Sequence, residues 1–354
     1  MISLDIVKAS NARITSDLGR GLVAVFVGGT SGLGEYTLKS FARYSDQARI
    51  YIVGRSQDAA TRIIDECKQS GSNADFMFLG SDISLLRNVD LVCRQISEAE
   101  KSINLLVQSQ GTLDFRSGAS PICITSPDTC MLIDDLTVTS EGLLKVAVLA
   151  HYSRVRFISN LLPHLGQASS LRKVLNIMTG TKEGDFDPSD PQASKLSPFK
   201  LRGHVSCLNT LSLESFQKQA PDVSFIHSFS GHVKSGIARE APWFMTLVFG
   251  ISGLFKRPKY IPEEESGERH LYLATSARYP PKIDSKTSGV SLPGSASPAM
   301  GTDGEMASGV YSIDEHCESA GLEVVDILSN HREQGKVDVL WESTVRDMKR
   351  ALAC

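Results

Sequence analysis

The stretch LVAVFVGGTSGLGEYTLKSFARYSDQARIYIVGRS, residues 22–56, decides the fold. It begins with an apolar run at residues 22–27, which is typical of a strand buried on both faces of a parallel sheet. A glycine-rich turn follows, then helical spacing of apolar residues over 35–44 and a second apolar run at 49–53. This order of strand, turn, helix and strand predicts a parallel β-α-β unit.

Apolar runs along the rest of the chain predict further strands. They occupy residues 75–79, 104–107, 173–178, 223–227 and 310–313, and helical stretches lie between and after them, notably 142–165, 204–218 and 339–352. Alternating strands and helices predict an α/β fold with a doubly wound parallel sheet, Rossmann-like and three-layered. Such a sheet binds ligands at the carboxyl ends of its strands.

Composition limits the classes of protein that fit this sequence. With 354 residues, 41% hydrophobic, 22% charged and a formal net charge of −3, the chain is typical of a soluble globular enzyme-sized protein. It has no block of Lys and Arg, so we expect no nucleic-acid partner. Its most apolar stretch, residues 243–255, is shorter than the roughly 20 residues that a transmembrane helix needs.

Cysteine usage and the start of the chain indicate the compartment. Seven cysteines are scattered without a C-x-x-C pair, which favours reduced thiols over metal ligands. The opening residues, MISLDIVKASNARITSDLGRG, contain acids and no apolar core of signal-peptide length. We therefore expect a cytoplasmic protein without a metal site.

The glycine turn predicts a dinucleotide site. Gly28, Gly32 and Gly34 lie between the first strand and the first helix, where glycine lets the backbone turn sharply and lets a pyrophosphate approach. Free N–H groups at the helix start attract such an anion. The alternative is a turn of the same composition that has lost its ligand.

The tip of the second strand favours NADP(H) over NAD(H). Arg55 and Ser56 follow this strand, and no carboxylate is present there to bind a ribose 2′-hydroxyl. A guanidinium suits a 2′-phosphate instead, although a solvated surface arginine is the alternative. Asp82, after the third strand, is predicted either to accept a hydrogen bond from the adenine amino group or to cap the next helix.

The motifs together resemble the short-chain dehydrogenase/reductase superfamily, and more narrowly its divergent fungal members of secondary-metabolite pathways. They extend over nearly the whole chain and read VGGTSGLGE, VGRS, SDIS, LLVQSQG, YSRVRFISNLLPHL, NIMTGTKEG and SFIHSFSGHVKSGI. The resemblance implies an NADP(H)-dependent oxidoreductase whose long helices can pair subunits in a homodimer. It also implies cofactor contacts from Thr30, Ser31, Leu33, Ile83, Gln110, Gly111 and Val233.

The catalytic half departs from the superfamily's pattern. Members usually pair a Ser at the end of the fifth strand with a Tyr and a Lys four residues later, because an alkoxide formed from a carbonyl needs a proton. None of the eight Tyr here has a Lys four residues later. The Tyr and Lys positions fall near Pro198 and Arg202, and the Ser position falls at Thr179, whose hydroxyl is expected to orient a carbonyl.

Two residues are candidates to replace the missing proton donor. His204 begins the predicted helix that would carry the Tyr, and imidazole titrates near neutrality. Tyr152 precedes Arg156 by four residues, so the phenol and the guanidinium are expected on one helical face. The alternatives are a locally satisfied histidine and a core tyrosine with a tethered hydroxyl. Ser235 is predicted to reach the nicotinamide carboxamide or to be a simple turn hydroxyl.

The chain is interpreted as one domain with appended segments. Residues 1–20 are an N-terminal extension, 21–281 the dinucleotide-binding catalytic domain, and 310–354 its last strand and terminal helix. Residues 282–309, rich in Ser, Gly, Pro and Thr, are expected to be a mobile surface insertion. Residues 241–262 resemble a substrate lid, with a monotopic membrane patch or a buried dimer helix as alternatives for the apolar stretch.

Three functions remain open. The first is an NADP(H)-dependent oxidoreductase that reduces C=O, C=N or C=C in a small hydrophobic metabolite, or runs the reverse oxidation. An iminium substrate fits the missing acid, because it already carries the charge that a carbonyl acquires from an acid. The second is an isomerase or cyclase with the nucleotide as scaffold, and the third is a non-catalytic NADP-binding protein.

Overall fold

The structure is a computed structural model and describes residues 1–112, 137–194, 196, 198–233, 260–293 and 296–353. A sheet of seven parallel strands lies at the centre of this part of the chain, in the order β3-β2-β1-β4-β5-β6-β7. The strands are β1 (Val23–Val27), β2 (Arg49–Gly54), β3 (Asp75–Gly80), β4 (Leu105–Gln108), β5 (Lys173–Met178), β6 (Ser224–Phe229) and β7 (Val310–Ile313). The strand order reverses between β1 and β4, where sheets of this type bind their ligands.

Helices cover both faces of the sheet. They are α1 (Leu4–Asn11), α2 (Ile14–Leu18), α3 (Gly32–Tyr44), α4 (Gln57–Gln69), α5 (Leu86–Ala99), α6 (Lys145–Ala147), α7 (Ser153–Leu165), α8 (Pro198–Gln219), α9 (Glu263–Thr275), α10 (Leu322–Glu333) and α11 (Lys336–Ala353). The first four helices and α9 pack on one face, and α5, α7, α8 and α11 pack on the other. A π-helical turn, Val148–Tyr152, joins α6 to α7.

Side chains alternate along each strand, so each face of the sheet has its own buried core. In β1, Phe26 packs towards α3, whereas Val25 and Val27 pack towards α5 and α7. All three side chains have no exposed surface. The doubly wound, three-layered sheet predicted from the sequence is therefore confirmed.

The long helix α8 begins at Pro198, not at residue 204 as predicted. Proline at the first position of a helix removes no internal hydrogen bond, because the N–H groups of the first turn have no partner within the helix. Consequently His204 lies in the second turn of α8 rather than at its start.

Residues 282–309 were expected from their composition to be a mobile surface insertion, but several of them are buried. Val290 and Ala299 are buried in the core on the α3 side of the sheet. The Val290 N–H donates to the Thr275 carbonyl oxygen at 2.7 Å, which attaches the segment to the end of α9. These two apolar residues therefore belong to the core and not to the surface, although the segment around them is mostly polar.

The N-terminal extension packs against the domain. Val7, Ile14 and Leu18 join the core on the α3 side, and the Asn11 side-chain amide donates to Glu268 Oε2 at 2.7 Å. No helix in the described ranges is long and apolar enough to cross a membrane. Ser235 and residues 241–259 of the predicted lid lie outside the described residues.

Candidate functional site

The glycine turn after β1 forms a cradle that side chains would fill. Gly28 has φ +81° and Gly32 has φ +57°, in the left-handed region that favours glycine. A Cβ on Gly34 would lie 2.3 Å from Ser109 Oγ and 2.5 Å from the Gly28 carbonyl oxygen. The N-cap of α3, Ser31, makes no side-chain capping bond. N–H groups at the start of α3 therefore keep their capacity to bind an anion.

The tip of β2 touches the glycine turn. A Cβ on Gly54 would lie 2.6 Å from a side-chain carbon of Thr30. Arg55 follows directly and is exposed, and no acidic residue occurs between positions 49 and 56. Ser56 caps α4 by accepting the Ala59 N–H at 3.2 Å. Arg55 is thus the charged side chain that this tip presents beside the turn.

Asp82 stabilises the turn that precedes α5. Its Oδ1 accepts the Ser84 N–H at 3.0 Å, and the side chain is exposed; the N-cap of α5 is Leu85, so Asp82 does not cap this helix as the sequence had suggested. A cavity of about 300 Å³ opens beside Asp82, between the end of β3 and α5, and Gly80 also lines it. Gly80 pairs in register with Gly54, so this cavity adjoins the tip of β2.

A row of polar side chains crosses the sheet under its carboxyl edge. Strand register places Gln108, Asn176, His227 and Ser312 side by side on β4, β5, β6 and β7. All four are buried, and the Gln108 amide donates to Asn176 Oδ1 at 3.0 Å. This polar row was not predicted from the sequence, because its four residues are far apart along the chain and become neighbours only through strand register.

Thr179 lies at the end of β5, next to the polar row. Its backbone N–H donates to His227 Nε2 at 3.1 Å, and its carbonyl oxygen accepts from Ser206 Oγ at 2.6 Å. Among the described residues its buried hydroxyl oxygen has no hydrogen-bond partner. Hydrogen bonds therefore fix both the N–H and the carbonyl group of Thr179, and the hydroxyl retains its capacity to bind a ligand.

A buried carboxylate network supports His227. His227 Nδ1 lies 2.8 Å from Thr210 Oγ1, and the Thr210 and Ser312 hydroxyls donate to Glu183 Oε1 at 2.6 and 2.7 Å. Burial raises the pKa of the Glu183 carboxyl, but interactions with His227, Thr210 and Ser312 outweigh burial and lower it. Because Nε2 accepts the Thr179 N–H, the neutral His227 ring carries its proton on Nδ1.

Arg154 joins the ends of β4 and β5 from below the site. Its guanidinium donates to the carbonyl oxygens of Gln108 at 3.0 Å, Gln110 at 2.5 Å and Ile177 at 3.3 Å. Burial lowers the pKa of this guanidinium to about 9. The backbone N–H of Gln110 stands 2.8 Å from the position of a Cβ on Gly28. Arg154 thereby fixes one wall of the glycine cradle.

Tyr152 is buried and its hydroxyl is tethered, which is the alternative that the sequence left open beside the role of proton donor. Its hydroxyl donates to Asp347 Oδ2 of α11 at 2.7 Å, and burial together with Asp347 raises the pKa of the phenol. The Arg156 guanidinium binds Asp90 at 2.6 and 2.8 Å instead of approaching the phenol. Each side chain has a carboxylate partner on another helix, Asp347 of α11 for Tyr152 and Asp90 of α5 for Arg156, so spacing by four did not place the two groups together.

The contacts of His204 within the described chain are local. Nδ1 accepts the Asp187 N–H at 3.3 Å, and the ring lies 6.2 Å from that of Phe186. Burial lowers the pKa of this imidazole, and the neighbouring Asp190 and Asp187 oppose that effect. None of these contacts joins His204 to Thr179.

The remaining predicted cofactor residues differ in their surroundings. Gln110 is buried, and its amide nitrogen lies within hydrogen-bonding distance of Gln108 and Ser153. Leu33 packs against the core, Ile83 is buried, and Val233 pairs with Ile261. Within the described ranges no group of three or more His, Cys, Asp and Glu side chains is placed to hold a metal ion.

Comparison with known proteins gives several matches. Residues 22–134 match the family model described as short chain dehydrogenase. An oxidoreductase of Emericella nidulans is 33% identical in an alignment 362 residues long, which covers 99% of this chain and 99% of the relative. The short-chain dehydrogenase/reductase SAT2 of Stachybotrys chartarum is 26% identical, with 98% of this chain and 97% of the relative covered.

Solved structures share the fold. The Pseudomonas aeruginosa RhlG/NADP active-site complex superposes with a TM-score of 0.51 at 18% identity, covering 72% of this chain and 90% of that one. A 3-oxoacyl-(acyl-carrier-protein) reductase of Agrobacterium tumefaciens with NADP bound has a TM-score of 0.51 at 14% identity, covering 82% and 96%. At these identities the likeness concerns the arrangement of strands and helices.

Proposed function

The chain belongs to the short-chain dehydrogenase/reductase superfamily, and we propose that this oxidoreductase uses NADP(H) to reduce a polarised double bond in a hydrophobic secondary metabolite. One observation carries the proposal: the tip of β2, which touches the Gly28–Gly34 cradle, is followed directly by an arginine and has no acid between residues 49 and 56. Fungal relatives described as oxidoreductases support the reaction class. The metabolite class rests on the sequence resemblance.

The residues present fit the dinucleotide. N–H groups at the start of α3 would hold the diphosphate, and Arg55 would hold the 2′-phosphate by a charge-assisted contact. One carboxylate oxygen of Asp82 accepts the Ser84 N–H, so the other would accept a hydrogen bond from the adenine amino group. When bound, the nicotinamide supplies the hydride.

Thr179 is the residue proposed to contact the reacting group. Its hydroxyl would donate a hydrogen bond to the electronegative atom of the double bond, and His227 and Ser206 would keep the Thr179 backbone in place. The sequence contains no Tyr with a Lys four residues later to act as a strong general acid. General acid catalysis typically contributes about 10²- to 10⁴-fold to a rate. The proposal therefore predicts slow reduction of unactivated ketones.

Calorimetric titration with NADPH and NADH tests the cofactor assignment. The Arg55→Gln variant should bind NADPH at least about tenfold more weakly, because it loses a charge-assisted bond to the 2′-phosphate, and should bind NADH unchanged. Arg94→Gln, which removes an exposed arginine of α5, is the matched control. Equal affinity of the unmodified protein for both cofactors, or no binding of either, would contradict the proposal.

A further inference from the structure

Two cations lie over one aromatic ring at the carboxyl edge of the sheet. Lys182 Nζ and Arg202 Cζ each lie 5.0 Å from the centroid of the Phe229 ring. Lys182 follows β5, Arg202 lies in α8, and Phe229 ends β6. Arg202 is exposed, and the other two are partly exposed, so a molecule in solution can reach the group.

No acid neutralises this pair in the described part of the chain. Lys200, two residues before Arg202, pairs with Asp185 at 3.7 Å, but neither Lys182 nor Arg202 has such a partner there. Glu183 is adjacent in sequence but is buried in the His227 network. Two like charges on one ring repel each other, so the cluster attracts an anion.

The cluster lies beside Thr179, not beside the glycine turn. Thr179 and Phe229 form a backbone bridge, and Lys182 follows Thr179 by three residues, a Cα separation of at most about 11 Å. Two strands separate β1 from β6 in the sheet, which places their ends about 14 Å apart. The anion is therefore separate from the diphosphate of the cofactor.

We infer that Lys182, Arg202 and Phe229 bind a carboxylate of the substrate. This inference rests on the proposed function and adds that the substrate is an organic acid with an apolar skeleton. The planar guanidinium can bind both oxygens of a carboxylate, and the ammonium adds a second positive charge over the same ring. The same charges disfavour a cationic iminium as the substrate.

Binding of 4-formylbenzoate and of its neutral methyl ester to the NADP⁺-saturated protein tests the inference by calorimetry. The carboxylate should bind at least about tenfold more tightly than the ester, as expected for a contact with two cations. In Lys182→Gln/Arg202→Gln this preference should fall below about twofold. The control Lys200→Gln, which removes a paired cation from the same helix, should keep it.

Equal binding of acid and ester to the unmodified protein would overturn the inference, as would a preference that survives in the double variant. A second titration uses inorganic phosphate as a competitor. If phosphate displaces 4-formylbenzoate at a similar concentration, the site is not selective for carboxylates. Loss of NADPH absorbance with 4-formylbenzoate is followed separately. Carboxylate-selective binding without NADPH oxidation would contradict the proposed reduction of this aldehyde and leave the recognition site standing.

Discussion

At the scale of single residues, His227 links Thr179 to the buried Glu183 network. Replacing it with leucine leaves the Thr179 N–H without its acceptor and removes one of the two partners of the Thr210 hydroxyl, which should lower the free energy of unfolding by about 1–3 kcal/mol. We also expect a lower kcat with little change in KM, because Thr179 loses its orientation. His227→Gln retains an acceptor and a donor and should restore most of both quantities. Urea unfolding and steady-state oxidation of NADPH measure them.

Two results would count against this role of His227. One is an unchanged kcat in His227→Leu, which would show that Thr179 does not depend on the imidazole. The other is an equal loss of activity in the leucine and glutamine variants, since packing alone would then explain the effect.

At the scale of elements, the π-helical turn before α7 joins α11 through Tyr152 and Asp347. The Tyr152→Phe variant leaves a buried carboxylate oxygen without this donor, so thermal unfolding should report a loss of about 1–3 kcal/mol. Turnover should stay within about twofold, because a hydroxyl held by α11 does not reach the substrate. Thr179→Val should show the reverse pattern, with reduced kcat and nearly unchanged stability. A large fall in kcat for Tyr152→Phe at unchanged stability would restore this tyrosine as the proton donor.

At the scale of the whole molecule, buried neutral histidines should make stability depend on pH. Burial, helped by the charges of His204 and Arg154, lowers the pKa of His151 to about 3. Burial lowers the pKa of His270 to about 4, against the opposing effect of a hydrogen bond that Nδ1 donates to the Ser266 carbonyl oxygen. The unfolded chain takes up these protons below about pH 6.5 while the folded chain does not, so stability is full above that pH and falls below it. Between pH 7.5 and 5.5 the two residues should remove about 3 kcal/mol.

Urea unfolding at a series of pH values checks this expectation. In the His151→Gln/His270→Gln variant the slope between pH 7.5 and 5.5 should be shallower than in the unmodified protein. An identical slope would place the proton uptake on other groups, and the explanation through these two histidines would be wrong.

Local patterns in the sequence were enough to predict the sheet, the glycine cradle and Arg55 at the tip of β2. Each depends on neighbouring residues: apolar runs specify buried strands, and glycines at a strand-helix junction specify the turn. Thr179 also followed from its place at the end of a strand. The expected pairing of Tyr152 with Arg156 does not form, because each side chain binds a carboxylate on a different helix, Asp347 or Asp90, and those contacts depend on tertiary packing.

Only the tertiary structure decided which polar side chains meet beneath the site. Gln108, Asn176, His227 and Ser312 are far apart along the chain and become neighbours through strand register. Lys182 and Arg202 likewise meet only at the ring of Phe229. A local pattern specifies the element in which a residue lies, whereas contacts between distant residues depend on how the elements pack, and packing is a property of the whole chain.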